Sequence, residues 1–170
     1  HEFMARDLEQ YNTFLKNVFL SMHQAGIEHL IIDVRGNSGG HPFFAAELLS
    51  YLSGRSFTYF ELPVDPGDFA PLYQAIQPKK EAFQGNVYML VDGGCLSTTG
   101  HFISLVKHHR MALLIGDTPG ASFYSNDRSL RLTLPETKIR FNLPQTTYQT
   151  AVSGFIKGQL IQPDYKVIPS

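Results

Sequence analysis

The sequence has one cysteine, almost no net charge and no long hydrophobic run. A lone cysteine, Cys95, cannot form a disulfide within the chain, so cysteine content does not indicate a compartment. The formal net charge of −1 gives no electrostatic case for binding nucleic acid or an anionic membrane surface. Because no apolar run is long enough to cross a bilayer, the sequence predicts no membrane span.

The composition is that of one globular domain. The chain has 170 residues, of which 43% are hydrophobic and 17% are charged. His1-Glu2-Phe3 resembles the end of a purification tag and a cloning site, so we expect residues 1–3 to be a remnant and 4–170 to form a single domain of a longer natural chain. The histidines lack metal-ligand spacing with carboxylates or cysteine, so neither a metal nor a cofactor is predicted.

Hydrophobic periodicity predicts alternating helices and strands. Helices are predicted at 7–24, 43–52 and 98–109, and strands at 29–35, 56–62, 87–91, 111–116 and 163–167. The segment 63–78 is rich in Pro, Gly and Asp and predicts a surface loop. Two alternating segments, 130–134 and 138–143, predict an antiparallel hairpin with one apolar face. This order indicates an α/β layered domain with a mostly parallel sheet, helices packed on it and an added hairpin.

The first glycine-rich segment, Gly36-Asn37-Ser38-Gly39-Gly40, lies between a predicted strand and a predicted helix. Glycines at such a junction let backbone N–H groups approach a ligand oxygen closely. The segment lacks the spacing of a dinucleotide-binding motif and the lysine of a phosphate-binding loop, so nucleotide binding is not supported. Taken alone, it is typical of a turn.

The second glycine-rich segment, from Val91 to Gly100, also lies between a predicted strand and a predicted helix. Ser97 is expected at the start of that helix, where unpaired N–H groups and the helix dipole favour negative charge. This placement suits a serine nucleophile. It equally suits an ordinary helix-capping serine, so the segment alone leaves both interpretations open.

Together the two segments resemble the signature motifs of the carboxyl-terminal processing (tail-specific) peptidase family, which includes tricorn-like relatives. The sequence Leu30-Ile31-Ile32-Asp33-Val34-Arg35-Gly36-Asn37-Ser38-Gly39-Gly40 is similar to the family segment LIIDLRGNPGG. The stretch from Val87 to Gly116 is similar to the second signature, in which small residues surround a nucleophilic serine between a strand and a helix. The resemblance implies a ClpP/crotonase-like core, serine-type hydrolysis of peptide or protein substrates, and an extracytoplasmic location (periplasm, envelope or secreted).

The resemblance also implies site residues. Ser97 corresponds to the nucleophile, the N–H of Thr98 to one oxyanion donor, and an N–H from the Gly39-Gly40 turn to the other. Tail-specific members use a lysine base 25 residues after the serine, and Ser122 occupies that position here.

The general base is the part of the site that the sequence leaves open. A serine hydroxyl is a poor nucleophile until a base takes its proton. Tricorn-like relatives use a histidine from an upstream segment. Within this chain the candidates are His101, four residues after Ser97, and His41, directly after the Gly-Gly turn. Cys95 is expected to pack as a small residue and not to act as a nucleophile.

Two other functions are compatible with these motifs. Because Ser122 stands where a lysine is expected, the chain is alternatively a catalytically degenerate module of the same fold that binds peptides or apolar ligands. Crotonase-like acyl-thioester chemistry would use the same pair of backbone donors, but no acyl-carrier feature is present. The sequence makes no prediction of oligomeric state.

Overall fold

The described part of the chain contains three α-helices, one 3-10 helix and ten strands. The computed structural model describes residues 2–61, 67–127 and 129–167, without the side chains of residues 2–4, 68 and 127. The helices are α1 Glu2–Gln24, α2 Pro42–Leu52, the 3-10 helix Gly67–Tyr73 and α3 Thr98–His108. The strands are β1 His29–Asp33, β2 Phe57–Thr58, β3 Ala75–Ile76, β4 Asn86–Val91, β5 Leu113–Gly116, β6 Tyr124–Asp127, β7 Leu130–Thr133, β8 Arg140–Leu143, β9 Thr146–Gln149 and β10 Tyr165–Lys166.

The predicted parallel sheet is confirmed. Its four strands run in the order β1-β4-β5-β10, and all three neighbouring pairs are parallel. Val87, Met89 and Val91 of β4 are buried on one face, in the same apolar core as residues from all three α-helices. Parallel strands place their carboxyl ends at one edge, so the loops that follow β1 and β4 are brought together there.

The opposite face of this sheet is only partly covered. Ile31 is 66% exposed and Tyr165 is 61% exposed, and the strand register places both on the face away from the buried side chains of β4. In the described part of the chain, no helix has the length and hydropathy needed to cross a membrane.

The predicted strand at 56–62 is confirmed at its start, and beyond it the described residues form only an isolated antiparallel bridge, between Phe60 and Thr150. Only Phe57–Thr58 forms a strand, which pairs antiparallel with Ala75–Ile76. The next two N–H groups, those of Tyr59 and Phe60, both donate to the carbonyl of Leu72 at 3.2 and 3.0 Å. Two consecutive donors on one acceptor cannot belong to a strand ladder, in which successive N–H groups point to opposite sides. Residue 62 lies outside the described residues.

The predicted surface loop at 63–78 is also corrected. Residues 63–66 lie outside the described residues, but the 3-10 helix and β3 occupy most of the remainder. Leu72 and Tyr73 are buried, and the Tyr73 ring lies 5.5 Å from that of Phe60. The proline and glycine content of this segment did not indicate that Leu72 and Tyr73 would be buried in the core.

The predicted hairpin is confirmed as the antiparallel pair β7–β8, with Leu130 opposite Leu143 and Leu132 opposite Phe141. Its apolar face does not join the core, because most of these side chains remain exposed. A second antiparallel pair, β6 with β9, was not predicted. The sequence Tyr124-Ser125-Asn126-Asp127 has no apolar alternation, so periodicity does not reveal it as a strand.

Helix α3 is the most enclosed helix in the described structure. A Cβ built on Gly100 would lie 2.6 Å from both the Ala121 Cβ and the Ser122 carbonyl oxygen. His101 is 2% exposed, and its Nε2 is hydrogen bonded to Ser125 Oγ at 3.0 Å. Burial lowers the pKa of His101 to about 4. These contacts fix the helix that begins directly after Ser97.

We expect Gly100→Ala to destabilise the protein by about 1–3 kcal/mol, because backbone at Ser122 blocks the added methyl group. Gly54→Ala is the control, since a Cβ built there meets nothing within 4 Å. Urea unfolding of both variants measures the difference. Equal stabilities would show that the loop at 121–122 shifts without cost.

Stability should fall as the pH drops from about 6.5 towards about 4. The unfolded chain protonates His101 at its ordinary pKa of 6.5, whereas the folded chain resists protonation down to about 4. The unfolded state therefore binds more protons across this window, and the loss amounts to about 3 kcal/mol by pH 4. His109, whose pKa burial also lowers to about 4, acts in the same direction.

His101→Phe cannot take up the proton, so its free energy of unfolding should depend less on pH than that of the wild type. Urea unfolding at pH 7 and pH 4.5 provides the comparison, with His23→Gln on the exposed side of α1 as the control. If the pH dependence of stability in His101→Phe equals that of the wild type, His101 is not the group that causes it.

Candidate active site

The two glycine-rich loops meet at the carboxyl ends of β1 and β4, and Asn37 joins them. The Asn37 carbonyl accepts the Leu96 N–H at 3.0 Å. Its side-chain Oδ1 accepts both the Gly39 N–H at 3.0 Å and the Thr99 hydroxyl at 2.8 Å. Asn37 therefore holds the turn of its own loop and, through Leu96 and Thr99, the backbone before and after Ser97.

Asp92 joins the same loops from the other side. Its Oδ1 accepts the N–H of Gly36 and the N–H of Gly94, each at 2.9 Å. These hydrogen bonds, with that of Gly36 largest, hold the pKa of Asp92 below its usual range. Gly94 has no room for a side chain, because a Cβ there would lie 2.8 Å from the Gly36 Cα. The loops are therefore in backbone contact.

Cys95 packs between the loops as the sequence predicts. It is fully buried, and its thiol donates to the Val34 carbonyl at 3.1 Å. Burial raises the pKa of this thiol, which disfavours the reactive thiolate.

Ser97 is exposed and has an unusual backbone conformation, with φ of 52° and ψ of −127°. Residues other than glycine rarely adopt this backbone conformation, which costs about 1–3 kcal/mol of folding free energy. Gly39, with φ of 104°, lies against it, and a Cβ on Gly39 would be 2.7 Å from the Ser97 Cβ. Strain of this kind recurs at sharp strand-to-helix turns that present a serine hydroxyl.

The backbone N–H groups of Gly40 and Thr98 lie beside Ser97. Among the described residues, neither the Gly40 N–H nor the Thr98 N–H has a hydrogen-bond acceptor. The Thr98 hydroxyl donates to the Gly40 carbonyl at 2.7 Å and so ties these two residues together. The Gly39 N–H, by contrast, is already bound to Asn37. Of the two glycines predicted for oxyanion binding, only Gly40 thus has an N–H available.

A cavity of about 390 Å³ opens beside these N–H groups. The residues that line it from the two loops and the helix starts are Asn37, Gly39, Gly40, His41, Thr98 and Thr99. The apolar part of its wall comes from the end of β1 and from all three α-helices, namely Val34, Tyr11, Phe44, Ala45, Leu48 and Phe102. The cavity is therefore lined by polar groups from the two loops and by apolar side chains that come mostly from the helices.

His41 lies at this cavity. It is the N-cap residue of α2, and its Nδ1 accepts the Phe43 N–H at 3.4 Å. Its ring packs near those of Phe43 and Phe69, at 5.2 and 5.3 Å between centroids. Burial lowers the pKa of His41, so the ring is neutral at pH 7. Because Nδ1 accepts this N–H, the neutral ring carries its hydrogen on Nε2, which is left to donate to another partner.

The structure does not bring His101 or Ser122 to Ser97. His101 is enclosed near Phe60 with its Nε2 bound to Ser125. Ser122 is buried, and its hydroxyl donates to the Gln159 carbonyl at 3.0 Å. The described residues contain no hydrogen bond between Ser97 and either side chain. Of the predicted residues, Gly39, Gly40, His41 and Thr98 line one cavity, and Ser97 lies against Gly39. The described residues contain no hydrogen bond between Ser97 and His41 either.

Two kinds of site residue escaped the sequence analysis. Asn37 and Asp92 join the loops, and the only sequence signal for them is their position beside glycines, where Asn and Asp commonly bind nearby backbone N–H groups. Tyr11 and Phe44 line the cavity, but their helical spacing indicates only a core face. In the described parts of the chain, no cluster of three or more His, Cys, Asp or Glu side chains could hold a metal ion.

The chain is similar in sequence to known proteins. Two CtpA-like serine proteases from strains of Staphylococcus epidermidis are 26% and 25% identical to this chain over 154 residues. The match covers 90% of this chain and 30% of each relative, so the chain spans about a third of the length of these curated relatives.

Solved structures show the same fold. The photosystem II D1 C-terminal processing protease superposes with a TM-score of 0.65 at 14% identity, covering 93% of this chain and 39% of that one. Mature CPAF superposes with a TM-score of 0.64 at 15% identity, covering 94% of this chain and 42% of that one. The profile of Peptidase family S41 matches residues 2–167. With nearly its whole length matched, the chain belongs to peptidase family S41, a family of serine peptidases.

Proposed function

We propose that this chain carries the acyl-transfer site of a serine peptidase, with Ser97 as nucleophile and the N–H groups of Gly40 and Thr98 as the oxyanion hole. The observation that carries the proposal is that the N–H groups of Gly40 and Thr98, beside a strained and exposed serine, have no acceptor among the described residues. Buried backbone donors are nearly always paired, and Thr98 is only 8% exposed, so its N–H suits a ligand oxygen.

The proposed reaction has two halves. Ser97 Oγ attacks the scissile carbonyl carbon and loses its proton to a base, while the carbonyl oxygen becomes an oxyanion held by Gly40 and Thr98. Collapse of this intermediate breaks the C–N bond, and the departing amine takes the proton from the base. Water then attacks the acyl-enzyme through the same oxyanion, releasing the new carboxylate and restoring Ser97.

Of the two histidines named as base candidates, His41 fits this scheme better. It lines the same cavity as Gly40 and Thr98, and burial keeps its ring neutral at pH 7. Its Nε2 accepts a proton only in the tautomer that carries the ring hydrogen on Nδ1, so acting as the base requires His41 to give up the 3.4 Å contact with the Phe43 N–H. His101 has its Nε2 committed to Ser125 in the core. Peptide or protein substrates follow from this chemistry. The extracytoplasmic location drawn from the family resemblance stays a prediction.

A fluorophosphonate probe should add once to the wild-type protein and not to Ser97→Ala, because only a serine activated by a base reacts with it. Intact mass spectrometry reports the adduct. Ser38→Ala is the matched control, since Ser38 is an exposed serine in the first loop. Labelling that persists in Ser97→Ala would contradict the role of Ser97.

His41→Gln extends this test to the base. Loss of labelling with retained folding supports His41 as the proton acceptor, whereas full labelling excludes it. A folded wild-type chain that takes no label at all would show that these 170 residues lack a working base. The same labelling of the longer natural chain would then separate an enzyme whose base lies outside these residues from a degenerate binding module.

Gly40→Pro should lower kcat/KM for a fluorogenic casein substrate by about 10²–10³-fold, because proline removes one oxyanion donor. Gly40→Ala keeps the N–H, and a Cβ at this position meets nothing within 4 Å, so it is the matched control. Its activity should stay close to that of the wild type. Equal loss in both variants would show that the glycine matters for its conformation and not for its N–H.

A further inference from the structure

The strands β6, β7, β8 and β9 form one long two-stranded ribbon. β6 pairs with β9 and β7 pairs with β8 in a single register, because Asp127 is opposite Thr146 and, three residues further along each strand, Leu130 is opposite Leu143. The end of the ribbon that contains the turn, residues 130–143, is called the ribbon tip below.

Only the base of the ribbon is held by the core. Tyr148 of β9 is buried, and the neighbouring Gln149 carbonyl accepts the Glu61 N–H at 2.9 Å. At the tip, β7 and β8 pair with each other and, among the described residues, with no further strand. All residues of the tip are described, and none of their side chains is buried or belongs to the hydrophobic core. The tip therefore projects into solvent.

One face of the tip is entirely apolar. Opposite residues in an antiparallel pair project to the same face, and successive residues of a strand alternate between faces. The Leu134 N–H donates to the Ile139 carbonyl at 2.9 Å, which extends the β7–β8 register by one more pair on this face. The apolar tip face consists of three cross-strand pairs, Leu130 with Leu143, Leu132 with Phe141, and Leu134 with Ile139. Five of these six side chains are 40–58% exposed, and a contiguous exposed patch of this kind marks a surface that binds a partner or a membrane.

The rest of the tip carries positive charge. Arg131 and Arg140 project to the face opposite the apolar one, and Lys138 lies beside the turn with a positive φ of 58°. All three are exposed, and none has a carboxylate partner among the described residues. The segment 130–143 holds a single acidic residue, Glu136, although the whole chain has a formal net charge of −1. The net charge of the chain therefore conceals a local excess of positive charge.

The small area and the positive charge favour a lipid surface over a second copy of the chain. A stable protein interface buries about 800 Å² and about 20–30 residues on each partner, whereas the apolar tip face has six side chains. Two copies that met at this face would also surround the contact with like charges. An anionic bilayer, by contrast, is complementary to the tip in charge and offers an apolar interior to its exposed side chains.

We infer that the ribbon tip binds the surface of an anionic phospholipid bilayer. A two-stranded ribbon has unpaired backbone groups on both edges, and these cannot enter hydrocarbon without a large cost, so the backbone stays at the level of the headgroups. Only the side chains of the apolar tip face reach into the acyl region. The long side chains of Arg131, Lys138 and Arg140 reach the phosphate groups from the polar side. No residue of the candidate active site takes part, so this inference is independent of the proposed function.

Cosedimentation with sucrose-loaded vesicles tests the binding. The wild-type protein should bind vesicles of equal parts phosphatidylcholine and phosphatidylglycerol about 30-fold tighter than vesicles of phosphatidylcholine alone, because the tip carries an excess of two positive charges. Added salt should weaken binding to the anionic vesicles, since it screens exposed charges. Absence of binding to the anionic vesicles would overturn the inference.

Substitutions on the apolar tip face show whether its side chains enter the bilayer. The double variant Ile139→Ser/Phe141→Ser should lose about 30-fold in affinity for the anionic vesicles. The matched control is Phe14→Ser/Ile31→Ser, which removes two apolar side chains that are 58% and 66% exposed outside the ribbon. Far-UV circular dichroism checks that both variants are folded. An equal loss in the control would mean that exposed apolar groups anywhere on the chain drive binding, and would overturn the assignment to the tip.

Substitutions of the arginines test the electrostatic part. Arg131→Gln/Arg140→Gln should lose about 30-fold in affinity for the anionic vesicles and should not change the weak binding to phosphatidylcholine. Lys16→Gln/Lys80→Gln makes the same change in net charge at exposed positions outside the ribbon and is the control. If both double variants bind equally, net charge and not the tip determines the binding, and the inference fails.

A tryptophan in the tip reports insertion directly, because the wild-type chain contains no tryptophan. The emission of Phe141→Trp should shift to shorter wavelength on anionic vesicles and should be quenched by lipids brominated in the acyl chain. The emission of Phe14→Trp, on the exposed side of α1, should show neither effect. Unquenched emission from Phe141→Trp on bound protein would show that the apolar tip face stays outside the bilayer, and would overturn the inference.

Analytical ultracentrifugation tests the other possible occupant of this face. The wild-type protein should sediment as the same species as Ile139→Ser/Phe141→Ser. A wild-type dimer that this double variant abolishes would show that a second copy covers the apolar tip face, and would overturn the inference. The fluorophosphonate labelling of Ser97 is measured without vesicles, so the proposed function and the membrane contact can each fail while the other stands.

Discussion

The hydrogen bonds between the two glycine-rich loops are the constraint on which the site depends. Asn37 accepts from both the first loop and the start of α3, while Asp92 accepts from Gly36 and Gly94. The loops are far apart in sequence and adjacent only because β1 and β4 pair in parallel. Together with the Thr98 hydroxyl, which donates to the Gly40 carbonyl at 2.7 Å, these side-chain acceptors fix the position of Gly40 relative to Thr98.

This arrangement gives a site built largely from backbone. Gly39 must be glycine because it has a positive φ and lies against Ser97. Its N–H is used to hold the turn, which leaves the next N–H, that of Gly40, without an acceptor among the described residues. The same contacts hold Ser97 in its strained backbone conformation. The position of the Gly40 and Thr98 N–H groups and the exposure of the Ser97 hydroxyl therefore depend on one set of hydrogen bonds.

The cavity adds side-chain chemistry to that backbone frame. The polar groups that line it come mostly from the two loops, whereas the apolar side chains that line it come largely from the three α-helices packed on the sheet. Helix α1 is thereby part of the candidate site and not only of the core. The buried contacts of α3, including those of Gly100 and His101, hold the remaining wall and the start of the helix in place.

Local pattern in the sequence determined the order of helices and strands, the parallel sheet, the β7–β8 hairpin and the two loops with Ser97 between strand and helix. It failed at 59–61 and 67–76, where the Leu72 carbonyl accepts two consecutive N–H groups and Leu72 itself is buried. Only the tertiary structure separated Gly40 from Gly39, placed His41 at the cavity and enclosed His101 away from Ser97. The reason is physical: periodicity and turn chemistry act between neighbours in the chain, whereas a free N–H, a cavity or a buried ring exists only after distant segments have packed.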